Sequence, residues 1–341
     1  MGSSLARFWY EKRDKQNNKD STNQQHHQEI LAYAGAAGSL TAFMGIPIAG
    51  SIFALELTRS NAGLSKTGAD RALSPAIIAS IAALVLIRLF LLPSEHIGGH
   101  FTYSPVIGTL SGRTMITTAI ASGIGGALLG TVFHKFVTSL KNTLWKNKKP
   151  TMKYQLLVKT TIGLIVGLLS SNYPQTLFWG EGSLQSMVDG QITPFSATKH
   201  GLSTILTSAA RVNPSIPFMS LLAPLQIGIV KFISIALACA GKFPGGIIFP
   251  LFFASAPIAH AVTLYFTQLP ANVLPMLVIC LMASTQASVT RTPLATALIL
   301  SLTASSATAL SVLLPACLVS SYLGVYVSRL ISRNSYFQYS K

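Results

Sequence analysis

Acidic residues are scarce in this chain, and its C-terminal stretch from residue 190 onward has none. Only 9 of 341 residues are Asp or Glu, and none follows Asp189. The one acid well inside an apolar run is Glu56. Cation pathways and proton relays through membranes rely on embedded carboxylates, so this chain is poorly equipped for either, and its electrostatics suit an anion. An intramembrane enzyme would also lack an obvious general base from residue 190 onward.

Cysteine is nearly as rare. Cys239, Cys280 and Cys317 lie in apolar stretches without metal-type spacing. They read as small packing residues, not as a disulfide framework or a metal site. No apolar leader is visible either: residues 1–28 are polar and charged, so no cleavable signal peptide is expected and the chain is expected to begin in water. HHQE at 26–29 is not the HExxH of a zinc hydrolase and sits in a polar segment, where it reads as a solvated linker.

What the chain has in quantity is apolar residues. It is 50% hydrophobic and only 10% charged, with a mean hydropathy of +0.51. These values belong to an all-α, multi-span membrane protein. Candidate spans run over 75–92, 115–133, 155–171, 218–240, 247–266, 273–287 and 309–330; several are short or interrupted, which points to tilted and re-entrant helices. Polar or Gly-rich loops are expected at 11–27, 60–72, 93–112, 142–154, 172–197 and 267–272.

The net charge is +16, but the basic residues lack the aromatic interleaving of a nucleic-acid surface. They read instead as orientation signals. WKNKKPTMK (145–153) joins two spans and carries Lys146, Lys148, Lys149 and Lys153, so that loop is expected on the cytosolic or stromal side. The long stretch after Asn172 has few basic residues for its length and is expected outside or in the lumen.

A repeat is visible at an offset of 246 residues. AFMGIPIAGSIFALELT (42–58) aligns with SVTRTPLATALILSLTA (288–304), placing Pro47-Ile48-Ala49 on Pro293-Leu294-Ala295. Related halves of this kind occur in transporters whose broken helices meet near the bilayer midplane.

GKFPGGIIFP (241–250) interrupts one of the most hydrophobic regions with three glycines and two prolines. Proline is tolerated in the first turn of a helix, and glycine lets the chain turn sharply before it. The spacing predicts a non-helical approach over Phe243-Pro244-Gly245-Gly246 and a helix beginning near Ile247, inside the membrane. A helix start carries unpaired N–H groups and roughly half a positive charge, which makes an anion site without a full cation. Such a site suits a conducted ion, because it binds and still releases. From these residues alone a kinked helix or surface hairpin fits equally.

The stretch resembles the GxFxP anion motif of the CLC chloride channels and chloride/proton exchangers. Three further segments fall in that family's order. AAGSLTAFMGIPIAGSIFALELTRS (36–60) resembles the helix pair after the gating motif, ASVTRTPLATALILSLT (287–303) the dimer-interface segment, and RNSYFQYSK (333–341) the start of the final helix, which supplies a central tyrosine.

The resemblance implies a homodimer with one pathway per subunit and an inverted-repeat architecture. The ligand would be chloride, or a similar anion such as nitrate, as transported ion, with no cofactor. It implies anion-binding positions at Gly246, Ile247, Ile248, Phe249, Pro250 and Tyr336. The Ile247 and Ile248 amides would be the donors, and Gly246 would permit close backbone approach. Tyr336 also fits an aromatic anchor at the membrane boundary, and Tyr339 is a less well aligned rival.

Three departures qualify what is implied. The family's motif phenylalanine is Ile248 here. Its proton-exchanging glutamate falls on Leu57, while Glu56 aligns with the neighbouring position and is expected to be structural, hydrogen-bonded at a helix end. Proton coupling by the family's usual route is therefore not expected. The GSGIP and GxEGP segments occur nowhere in the sequence, so the first repeat is expected to be truncated, with a truncated gene model, a fragment and a degenerate member fitting equally. The family's C-terminal CBS pair is likewise not found, which is compatible with a plastid or other endomembrane. The main reading is passive, voltage-gated anion transport. The alternative is a non-conducting membrane partner of full-length subunits.

Overall fold

The computed structural model describes residues 21–61, 66–90, 110–145, 151–177, 184, 217–266, 269, 273–303 and 310–332. At 21–29, 47, 58–61, 66–71 and 217–223 it describes the backbone alone. Among these residues the chain is helical, and the order is α1 (Ser21–Met44), α2 (Pro47–Asn61), α3 (Lys66–Phe90), α4 (Gly112–Leu144), α5 (Met152–Asn172), a 3-10 turn (Pro174–Thr176), α6 (Pro217–Ala240), α7 (Ile248–Tyr265), α8 (Val273–Thr290), α9 (Pro293–Thr303) and α10 (Leu310–Ile331).

Six of these helices are long and apolar enough to cross a bilayer: Ala72–Phe90, Gly112–Leu144, Met152–Asn172, Ile248–Tyr265, Val273–Thr290 and Leu310–Ile331. The surface agrees with that reading. On α4, Ile116, Ile120, Ile124, Leu128 and Val132 recur every fourth residue and are between 42% and 67% exposed. A continuous stripe of that kind faces lipid, not water. The protein is an integral, multi-pass membrane protein.

Helix α8 is the centre of the packing. All its residues but Leu274 are buried, and it lies against α4 and α10. Water supplies no driving force between helices in lipid, so close approach of small residues and interhelical hydrogen bonds must serve. Ser284 Oγ donates to Gly123 O (2.7 Å) and Ser288 Oγ to Gly126 O (3.3 Å). A Cβ on Gly130 would lie 1.8 Å from Ser288 Oγ, so only glycine permits this contact.

The 246-residue repeat has a structural counterpart. α1 ends in a turn at Gly45 (φ 71°) and α8 in a turn at Arg291 (φ 62°), each two residues before the proline that opens the next helix. The hydrogen bonds correspond as well. Gly45 N–H donates to Thr41 O and Arg291 N–H to Ala287 O; Gly50 N–H donates to Ile46 O and Thr296 N–H to Thr292 O. The two short helices that follow, α2 and α9, pack on each other.

Several expected loops are shorter than the sequence suggests. Residues 21–27 belong to α1 and 66–72 to α3. Polar composition alone does not break a helix, and no Gly or Pro stands between Ser21 and Ala34. Pro75 was expected to open a span but lies inside α3. α4 extends to Leu144 and α5 begins at Met152, so only the middle of 142–154 remains for a loop. At 33 residues α4 is about 50 Å long, more than the bilayer requires. The start of the expected outer loop is not solvated either: Pro174, Gln175 and Thr176 are buried, because α6 draws them inward through Lys231.

Candidate functional site

The site forms where α6 ends and α7 begins. Gly241 N–H donates to Leu237 O (2.8 Å) and Phe243 N–H to Ala238 O (3.1 Å), closing α6 with a tight turn. Lys242 sits in that turn at φ 57°, a left-handed conformation uncommon for a residue with a side chain. Trp145, just past the end of α4, holds the turn from outside. Its Nε1–H donates to Ala240 O at 2.7 Å, and Lys242 Nζ lies 4.2 Å from the indole centroid, a cation–π contact.

Phe243–Gly246 then runs exposed and without regular secondary structure. Ile247 is the N-cap of α7 (φ −105°, ψ −12°), and no side chain caps the helix. The first intrahelical bond is Leu251 N–H to Ile247 O at 3.1 Å. The N–H groups of Ile247 and Ile248 have no acceptor among the described residues. Pro250 occupies the third helical position, where its missing N–H is no loss. The helix break expected from the Gly and Pro spacing is present.

Beside this helix start lies a cavity of about 560 Å³ between α5, the 3-10 turn and α6. Gly246, Ile247 and Pro250 line it. A Cβ placed on Gly246 would meet no atom within 4 Å, and the residue is not in the left-handed region. Neither packing nor backbone geometry requires glycine there; its missing side chain leaves the helix start open to the cavity.

The other implied positions divide. Phe249 is buried and turned away, edge-on to Phe43 (5.1 Å between centroids) and Phe252 (5.7 Å). Ile248 packs on the same core, so both face the site through their main chain only. Leu57 is half-buried against that core. Tyr336, Tyr339 and the loop lysines Lys146, Lys148 and Lys149 lie outside the described residues. Glu56 does not line this cavity. Its Oε1 accepts from Leu294 N–H (3.1 Å) and its Oε2 from Ala295 N–H (2.8 Å) at the start of α9, the structural place expected for it.

Lys231 is the residue that sequence reasoning missed. It is only 2% exposed and lines the same cavity. Its Nζ donates to Thr176 O at 2.7 Å and stands 5.5 Å from the Phe253 centroid. A basic side chain thus borders the cavity beside the main-chain donors. The signal was available: a lone cation within the apolar run 218–240 marks a functional position by default.

Residues 1–325 match the family described as voltage gated chloride channel. The chain belongs to that family. Among curated proteins it is similar to the putative ion-transport protein YfeO of Salmonella schwarzengrund (strain CVM19633), 28% identical over 247 residues, 72% of this chain and 49% of the relative. The YfeO protein of Salmonella newport (strain SL254) is 27% identical over the same extent. The chain spans about half the length of the curated relatives it matches.

Among solved structures, that of a slow cyanobacterial Cl-/H+ antiporter superposes with a TM-score of 0.65 at 15% identity, covering 92% of this chain and 64% of that one. This likeness shows that the two proteins share a fold.

Proposed function

We propose that this chain conducts a small anion, chloride or nitrate, passively across a membrane, as one subunit of a homodimer with an anion path in each protomer. The observation that carries the reading is the start of α7. The Ile247 and Ile248 amides are unbonded within the described residues, no side chain caps the helix, and the vacant flank of Gly246 opens on a cavity. The unpaired N–H groups and positive dipole end of a helix start attract an anion.

The absence of proton coupling rests on two residues. Leu57 offers no proton-carrying group, and both oxygens of Glu56 are engaged by α9. The test is reconstitution in liposomes, with chloride efflux and external pH recorded together. The reading expects chloride to leave under an imposed potential without matching proton movement; no efflux from folded protein overturns it.

A further inference from the structure

The last four carbonyls of α6 all have donors, and one of those donors comes from beyond the end of another helix. Leu237 O accepts from Gly241 N–H (2.8 Å), Ala238 O from Phe243 N–H (3.1 Å) and Cys239 O from Lys242 N–H (3.3 Å). In a continuing helix Ala240 O would take the N–H four residues on, but that residue is Pro244, which has none. The indole N–H of Trp145 stands in for it at 2.7 Å. Ala240 is fully buried, so water cannot replace that donor.

The turn under this bond is strained. Its left-handed residue is Lys242 (φ 57°), not the neighbouring glycine. Gly241 is kept small by packing instead, since a Cβ there would fall 2.8 Å from Phe243 Cε2 and 3.0 Å from Ile162 Cδ1. Such a conformation persists only where its surroundings fix it, and Trp145 is part of them, with Lys242 Nζ 4.2 Å from its ring centroid. Tyr154 steadies the indole from the other side: its ring stands edge-on at 6.4 Å, and its hydroxyl donates to Leu144 O at 2.8 Å.

Beyond the turn, no main-chain hydrogen bond among the described residues holds Pro244, Gly245 or Gly246. A Cβ on either glycine would meet no atom within 4 Å. This strip is therefore placed by its two ends, α7 on one side and the turn held by Trp145 on the other. Phe243 to Gly246 line the cavity beside the α7 start.

We infer that Trp145 is a positioning residue for anion passage: it fixes the strip 243–246 and with it the width of the opening through which an anion reaches the α7 amides. The inference rests on the reading of the α7 start as the anion site. A large anion feels that width more than a small one, so the effect of Trp145 falls on discrimination by size and not on affinity at the amides, which belong to α7.

The test is anion flux from liposomes for wild type, for Trp145→Phe, and for Trp145 replaced by benzothienylalanine, which keeps the bicyclic ring and lacks only the N–H. Iodide flux relative to chloride should rise roughly threefold or more in both variants, the scale of one lost hydrogen bond. Chloride affinity by calorimetry should stay within about twofold of wild type. Adding Lys242→Gly to Trp145→Phe gives the turn a residue that takes the left-handed φ without strain; thermal stability should recover while the raised iodide-to-chloride ratio persists, because the strip still lacks its anchor. An unchanged ratio in the folded variants, or a ratio that returns to the wild-type value along with stability, overturns this inference and leaves the proposed function standing. Folded wild-type protein that passes no chloride overturns both.

Discussion

Glu56 accepts a 2.8 Å hydrogen bond from the main-chain N–H of Ala295, 239 residues further along the chain. Its second oxygen takes the Leu294 N–H. The carboxylate of one repeat element thereby caps the helix of its counterpart, where a negative charge also meets the positive end of the helix dipole. Glu56→Gln keeps one acceptor and removes the other, so stability should fall by about 2 kcal/mol. Thermal unfolding in detergent checks this, and flux per folded molecule should be unchanged. A variant of native stability with an altered proton-to-anion ratio would contradict it.

Gly246→Leu fills the open flank at the α7 start. The backbone has room for the side chain, so folding and expression should be retained while chloride efflux from liposomes is largely lost. Full efflux from the variant would remove the anion from this place.

Gly130 tests the packing account. An added methyl would fall 1.8 Å from Ser288 Oγ, so Gly130→Ala should lower stability by about 1–3 kcal/mol. Gly163→Val on the cavity wall meets no atom through its Cβ and should stay within roughly 0.5 kcal/mol of wild type. Equal melting of the two variants would mean that α4 and α8 are not in close contact.

Arg291 ties the end of α8 to the end of α10. Its Nη1 donates to Val325 O (3.0 Å) and Ser328 Oγ (2.6 Å), and its Nη2 to Ser332 O (2.8 Å). Glycine adopts the φ of 62° found here without strain, so Arg291→Gly isolates the loss of the clamp. Unfolding should be easier by about 2 kcal/mol or more, and protease access beyond Ser332 should increase. An unchanged digestion pattern would show the clamp to be dispensable.

Much of the fold was legible because membrane helices announce themselves by composition. The prolines Pro47 and Pro293 and the broken stretch at 241–250 are local signals that mark real boundaries, whereas the apolar run at 75–92 marks a span but not its start. Polar helical extensions such as Ser21–Glu29 were not legible, since polarity was read as a loop where only Gly or Pro would have interrupted the helix. The buried 3-10 turn at Pro174–Thr176 depends on Lys231, 55 residues away, and no local pattern encodes that pairing. Lys231 is a single cation in an apolar span, and it carries as much electrostatic information as the scarcity of acids.

The central claim concerns two N–H groups, and removing one of them is the most direct test. Replacing the Ile248 amide by an ester, with the side chain retained, deletes the donor and leaves the shape of α7 in place. Calorimetric titration with chloride should then show affinity weakened roughly tenfold or more at the helix start, as expected for one hydrogen bond to a charged ligand. Unaltered chloride affinity in a correctly folded ester variant would contradict the account.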